Sequence, residues 1–189
     1  GGGAGSDSGG SAGRCAGPAA IAGAYGGGDT GPHAGAADLL RAIAGAQVAK
    51  LLPSDGATSD YFGKSVAISG ATAIVGAYYD DDNGSETGSA YLFDTTTGTQ
   101  IAKLPPSDGA AYDDFGISVA ISGTTAIVGA RDHADNGTDS GSAYLLDTTP
   151  GTHIPKILPS DGAALHLFGL SVDIRGPHLI VGAHVPHRS

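Results

Sequence analysis

One segment recurs three times in this chain at a spacing of 53 residues: KLLPSDGA from Lys50, KLPPSDGA from Lys103 and KILPSDGA from Lys156. Phe62-Gly63, Phe115-Gly116 and Phe168-Gly169 keep that register, as do SVAISG from Ser65 and Ser118, AIVGA from Ala73 and Ala126, and GSAYL from Gly88 and Gly141. A fixed period of this kind constrains the fold more than any single residue. Each copy is one supersecondary unit that cannot bury its apolar face alone and must stack on its neighbours.

Residues 1–49 look like a Gly/Ala-rich linker, yet a shift of one period pairs Ile21-Ala22-Gly23-Ala24-Tyr25 with Ile74-Val75-Gly76-Ala77-Tyr78. They are a worn copy, with Gly9-Gly10 where the later copies carry Phe-Gly and with Gly13 and Cys15 in place of Val66 and Ile68. The chain therefore divides into a degenerate first unit (1–49), a second (50–102), a third (103–155) and the first half of a fourth (156–189), all in one repeat domain. The first unit is expected to be the least stable. Its lone Cys15 reads as a small buried apolar residue and not as a reactive thiol.

Within the second copy, Lys64–Ile68 and Thr72–Tyr78 are β-prone runs separated by Ser69-Gly70-Ala71, a tight hairpin signal. Ile74-Val75-Gly76-Ala77 is apolar on both parities, as an inner strand covered on both faces must be. A third strand is predicted over Ser89–Asp94 and a fourth over Thr99–Leu104, where Lys103 and Pro105 suit an outer edge. Four strands in a period near 50 residues describe one propeller blade, so the chain is expected to be an all-β partial propeller of four-stranded antiparallel blades, about three and a half in number. Propellers close with ~4 to 8 blades. Two chains of three and a half blades could close one seven-bladed ring by self-association.

Composition agrees. Of 19 acidic residues only Glu86 is Glu, and 33 Gly accompany the Asp residues, which favours turns over helices. The net charge of −10, with nine scattered Lys and Arg, excludes nucleic-acid binding and attraction to anionic lipid. No apolar run approaches the ~20 residues of a membrane-spanning helix, so membrane insertion is not expected.

The Phe-Gly pair, the following SVAISG, the Gly-Ala that closes the second strand and the GSAYLF of the third together resemble FG-GAP repeats, as found in integrin α-subunit propellers and many bacterial surface proteins. The resemblance is clear over 50–183 and faint over 1–49. It implies a seven-bladed propeller, an extracellular or cell-surface location, calcium in some blades, and binding of a protein or glycan ligand in place of catalysis. Integrin-type repeats carry an Asp-rich calcium loop between strands one and two. Here those positions hold only Ser69-Gly70 and Ser122-Gly123, so that site does not carry over, and the chain resembles the shorter bacterial variants.

A different pair of acidic loops, between strands two and three, offers oxygen ligands of the kind calcium takes: Asp80, Asp82, Asn83 and Glu86 in one copy, and Asp132, Asp135, Asn136 and Asp139 in the next. Their spacing does not follow the EF-hand pattern, and a solvated Asn-Gly turn is the competing reading. The first copy keeps only Asp29 at these positions. Asp55, Asp108 and Asp161, each in Pro-Ser-Asp-Gly (the first Pro being Pro53), read as turn residues. Phe62, Phe115 and Phe168 are expected to pack between neighbouring sheets, with Gly63, Gly116 and Gly169 permitting close backbone approach. Asn83 and Asn136 stand in glycosylation sequons. His178 and His184 share one parity of the last strand, with His166 and His187 nearby, and are a weaker metal candidate. No nucleophile elbow, zinc motif or phosphate loop is written in the chain. A non-catalytic binding segment is the leading reading. A propeller hydrolase or lyase and a purely structural scaffold are the alternatives.

Overall fold

The computed structural model describes residues 10–12, 19–27, 31–41, 46–149 and 152–184. Cys15, Asp29 and His187 lie outside the described residues. Strands β1 (Gly10–Ala12), β2 (Ala19–Ala24), β3 (Ala36–Arg41) and β4 (Gln47–Leu51) form the first sheet, and β5 (Ser65–Ser69), β6 (Thr72–Ala77), β7 (Ser89–Asp94) and β8 (Gln100–Leu104) the second. The third comprises β9 (Phe115–Ser122), β10 (Thr125–Ala130), β11 (Ser142–Asp147) and β12 (Thr152–Ile157). A two-stranded sheet, β13 (Ser171–Arg175) with β14 (His178–Gly182), completes the described chain. Within each sheet, consecutive strands pair antiparallel. This is an all-β, partial β-propeller: three four-stranded blades and the inner half of a fourth.

The sheets begin and end slightly out of phase with the sequence period. Lys50 and Leu51 finish β4 of the first blade, and Lys103 and Leu104 finish β8 of the second, so each recurring Lys sits on an outer edge strand and the Pro-Ser-Asp-Gly after it links one blade to the next.

The double-sided apolar pattern of the second strand now has a cause. Ala73, Val75 and Ala77 of β6 pack with Ile21, Leu39 and Leu51 of the first blade, whereas Ile74 joins Val119, Ile121 and Val128 of the third. Alternate residues of one strand thus bury against opposite neighbours, and a single substitution is felt across two interfaces. Phe62 and Phe115 are fully buried in these interfaces, edge-on to Tyr91 and Tyr144 respectively, and Phe168 packs partly buried against the third.

The glycine after each Phe is held in the left-handed region, with φ of 88° at Gly63, 93° at Gly116 and 92° at Gly169. Space adds to the demand. A Cβ on Gly63 would overlap the carbonyl oxygen of Ala36 in the preceding blade, and a Cβ on Gly76 would overlap the carbonyl oxygen of Gly116 in the next. The Ser65 hydroxyl donates to that same Gly116 oxygen at 2.7 Å, and Ser118 repeats the bond to Gly169 at 2.7 Å. The Phe-Gly of one blade and the Gly-Ala of its predecessor are therefore the two halves of one backbone contact.

Candidate functional site

The segment entering each blade is zipped to the loop between the second and third strands of the blade before it. Tyr61 N donates to His33 O, Asp114 N to Glu86 O and Leu167 N to Asp139 O at 3.0, 3.2 and 3.0 Å. All six residues adopt left-handed backbone, with φ between 48° and 56°. Because the conformation recurs at all three described junctions with unlike side chains, it belongs to the repeat itself, and the side chains there are free to differ.

Where the acidic loop of the second blade meets the linker, three carboxylates surround one ammonium. Lys103 Nζ lies 2.8 Å from Asp55 Oδ2 and 2.9 Å from Asp80 Oδ2, and it also contacts Asp82. The Tyr91 hydroxyl donates to Asp80 Oδ2 at 2.7 Å, with Asp55 Oδ1 3.0 Å away, and Ser89 Oγ donates to Asp80 Oδ1 at 3.1 Å. Burial would lower the Lys103 ammonium, but the carboxylates outweigh it and raise its pKa above the ordinary value. Burial would likewise raise Asp55, but Lys103 overrides it and holds that carboxyl below the usual range. Tyr91 is pushed up by burial and by the carboxylates and stays a donor.

The third blade rebuilds the cluster with one change of element. Lys156 Nζ contacts Asp108 and lies 2.5 Å from Asp135 Oδ2, and the Tyr144 hydroxyl donates to Asp108 at 2.8 Å. The position of Asp80 is taken by His133, whose Nδ1 lies 2.7 Å from Asp113 Oδ2 and whose Nε2 lies 3.3 Å from Asp135 Oδ2. The hydrogen bond to Asp113 raises His133 above its ordinary value against the pull of burial.

The predicted calcium ligands are thus parted. Asp80 and Asp82 meet on Lys103, and Asp135 on Lys156, while Asp132 accepts from Arg131 Nε at 3.1 Å. Glu86 and Asp139 serve through their backbone, as the acceptors of the inter-blade zipper. Among the described residues, no hydrogen bond or ion pair brings the side chains of Asn83, Glu86, Asn136 or Asp139 into either cluster. The reason is that both loops wrap around a lysine from the fourth strand, which turns their carboxylates inward. Asp55 and Asp108 are turn residues that also supply a ligand to these lysines. His166 and His184 meet through backbone, His184 N donating to His166 O at 2.9 Å, and His178 is exposed on β14.

One feature of the same end of the blades carries no sequence motif. Tyr61 lies at the centre of an aromatic patch between the first and second blades: His33 stacks on it at 5.5 Å, and Tyr25, Tyr78 and Tyr79 lie 6.3, 5.6 and 5.3 Å from it between ring centroids. Lys64 Nζ sits 4.5 Å over the Tyr25 ring. These tyrosines are half-buried, so their faces remain within reach of solvent. Tyr25 and Tyr78 occupy the same repeat position, and this coincidence is the signal the sequence offered. At the next junction the equivalent places hold Asp114, Arg131 and Asp132. Arg131 Nη2 lies 2.6 Å from Asp114 Oδ2, although that oxygen has no aligned hydrogen-bond donor. Burial raises Asp114 to about 7 even so.

The FG-GAP repeat family profile matches residues 46–93, 99–146 and 152–188. Among solved structures, the hydrazine synthase of Kuenenia stuttgartiensis is similar in fold, with a TM-score of 0.58 and 15% identity over 86% of this chain and 38% of that one. This chain therefore spans well under half of that protein, and at such identity the likeness concerns the fold alone. No curated protein sequence matches the chain.

Proposed function

Because this chain belongs to the FG-GAP repeat family, we propose that it is a non-catalytic propeller segment, extracellular or at the cell surface, that binds a glycan through the tyrosine patch between its first two blades. The observation that carries this reading is the patch itself: Tyr25, Tyr78, Tyr79 and His33 gathered around Tyr61 on a left-handed turn that recurs at each described junction between blades. Aromatic faces offer large contact area at low conformational cost, and their hydroxyls remain available to hydrogen-bond a ligand. The blades differ in that position, so the binding character lies in the side chains and the scaffold in the repeat.

In the same reading the loops need no calcium, since Lys103 and Lys156 neutralise the carboxylates that a calcium ion would otherwise gather. The test is a glycan array probed with the wild-type chain, Tyr61→Ala and Tyr61→Phe. Binding that Ala abolishes and Phe retains supports the patch. Binding indifferent to Tyr61→Ala places the ligand elsewhere, binding to surface proteins alone changes the ligand class, and release of new reducing ends from a bound glycan overturns the non-catalytic reading.

A further inference from the structure

The two lysine clusters match residue for residue except at one position, where oxygen gives way to nitrogen. Asp55, Asp82, Tyr91 and Lys103 of the first correspond to Asp108, Asp135, Tyr144 and Lys156 of the second, and Asp80 corresponds to His133. We propose that Asp108, His133 and Asp135 form a site for a divalent transition ion of the zinc class, which enters by displacing the Lys156 ammonium.

Four observations support this assignment. One atom from each of the three residues, an imidazole nitrogen or a carboxylate oxygen, lies within 4.8 Å of the others, and no other such trio of His, Cys, Asp or Glu occurs among the described residues. His133 Nε2 lies 3.3 Å from Asp135 Oδ2 and 3.9 Å from Asp108 Oδ2. Two ligands of one tetrahedral zinc, each at ~2.0–2.2 Å, stand roughly 3.4 Å apart, so the cluster is close to the required size before any ion arrives. The imidazole is already oriented: its side chain is 9% exposed, and Nδ1–H donates to Asp113, which aims the Nε2 lone pair into the cluster. A carboxylate behind a ligating histidine is the usual outer partner at zinc sites.

Lys156 occupies the place the ion would take, with Nζ 2.5 Å from Asp135 and 3.2 Å from His133 Nε2. Its side chain projects from the edge strand β12 and is 19% exposed, so the ammonium can leave the cluster for solvent without unfolding the blade. Exchange of a lysine for a dication raises the cluster's positive charge among three aspartates, counting Asp113. The nitrogen donor favours zinc-class ions over calcium. Asp108, Asp113, Asp135, Lys156 and Tyr144 are the titratable groups that face His133. Protonation of the imidazole removes the ligand, so binding weakens in acid.

The experiment is calorimetric titration of the chain with Zn²⁺ at neutral pH, with Co²⁺ absorption as a report on coordination. The wild type is expected to bind one ion, with His133→Ala abolishing it and Asp113→Asn weakening it about 10- to 100-fold. Lys156→Met is expected to tighten it about tenfold or more by removing the competitor. Lys103→Met, in the all-oxygen cluster, leaves it unchanged. If Lys156→Met does not fold, the Asp113→Asn and His133→Ala responses decide. Absence of one-to-one binding in the wild type together with any folded Lys156 variant, or binding that survives His133→Ala, overturns the proposal.

Discussion

Lys103→Met removes an ammonium from between three carboxylates while keeping most of the aliphatic stem. Two of the partners are worth little. Asp82 and Asp55 have side chains 57% and 36% exposed, and such pairs contribute roughly 0–1 kcal/mol each. Asp80 is different, with a side chain 4% exposed. Taking away one member of a buried pair costs about 3–5 kcal/mol, because the other charge is left uncompensated. The Tyr91 and Ser89 hydroxyls continue to donate to Asp80, which places the expected loss near the lower end, about 3 kcal/mol. For a chain of this size that is a fall in Tm of roughly 6–12 °C. The assay is a thermal melt followed by circular dichroism on four proteins: wild type, Lys103→Met, Asp80→Asn and the double variant. Asparagine keeps the shape of Asp80 without its charge and retains one of its two accepting oxygens, so the double variant is expected to recover part of the Lys103→Met loss. A loss below about 1 kcal/mol, the range of an exposed pair, or strict additivity in the cycle, would refute the claim that Lys103 neutralises a buried charge.

Phe115→Ala empties the space between the second and third blades and is expected to cost about 3–5 kcal/mol by chemical denaturation. Gly76→Ala must push Gly116 away from its blade. It is expected to be more damaging than Gly70→Ala, where the backbone is left-handed, with φ of 58°, but an added Cβ meets nothing within 4 Å. Stability also depends on pH. Asp60 and Asp114 are raised by burial from 3.8 to about 6 and about 7, so the fold binds their protons more tightly than the unfolded chain does, and stability falls as pH rises from about 4 to about 7. His133, raised above 6.5, adds stability that is present below that value and lost as pH climbs through its folded pKa. The lowered Asp55, Asp108 and Asp135 act oppositely, and only below 3.8. The chain is therefore expected to melt higher at about pH 5 than at about pH 8, and Asp114→Asn to flatten that slope.

The strands were legible because the period aligned three copies of each one, and a pattern read three times is hard to misplace. Thr72–Ala77 declared its double burial through apolar residues on both parities, and Phe-Gly declared its close contact through the glycine. The lysine clusters were not legible, because Asp55 is 48 residues from Lys103 and Asp80 is 23, and only the fold brings a linker, a loop and an edge strand together. Lys103 reads from sequence as an edge-strand charge and Asp55 as a turn residue. Both readings are true, and neither implies the ion pair. The acidic loops read from sequence as offering oxygen ligands, and the fold brings a lysine of the same blade within reach of their carboxylates. The tyrosine patch is not written in any local motif because Tyr25 comes from the first copy and Tyr61, Tyr78 and Tyr79 from the second, and they meet across a blade boundary.

The most direct test of blades that carry their own cations is the melting temperature of the wild-type chain in excess calcium and in chelator. The two melts are expected to coincide, each cooperative, because Lys103 and Lys156 already fill the acidic loops. A rise of several degrees in calcium, as mass action requires of an ion bound by the native state, would contradict this and return the loops at 80–86 and 132–139 to calcium.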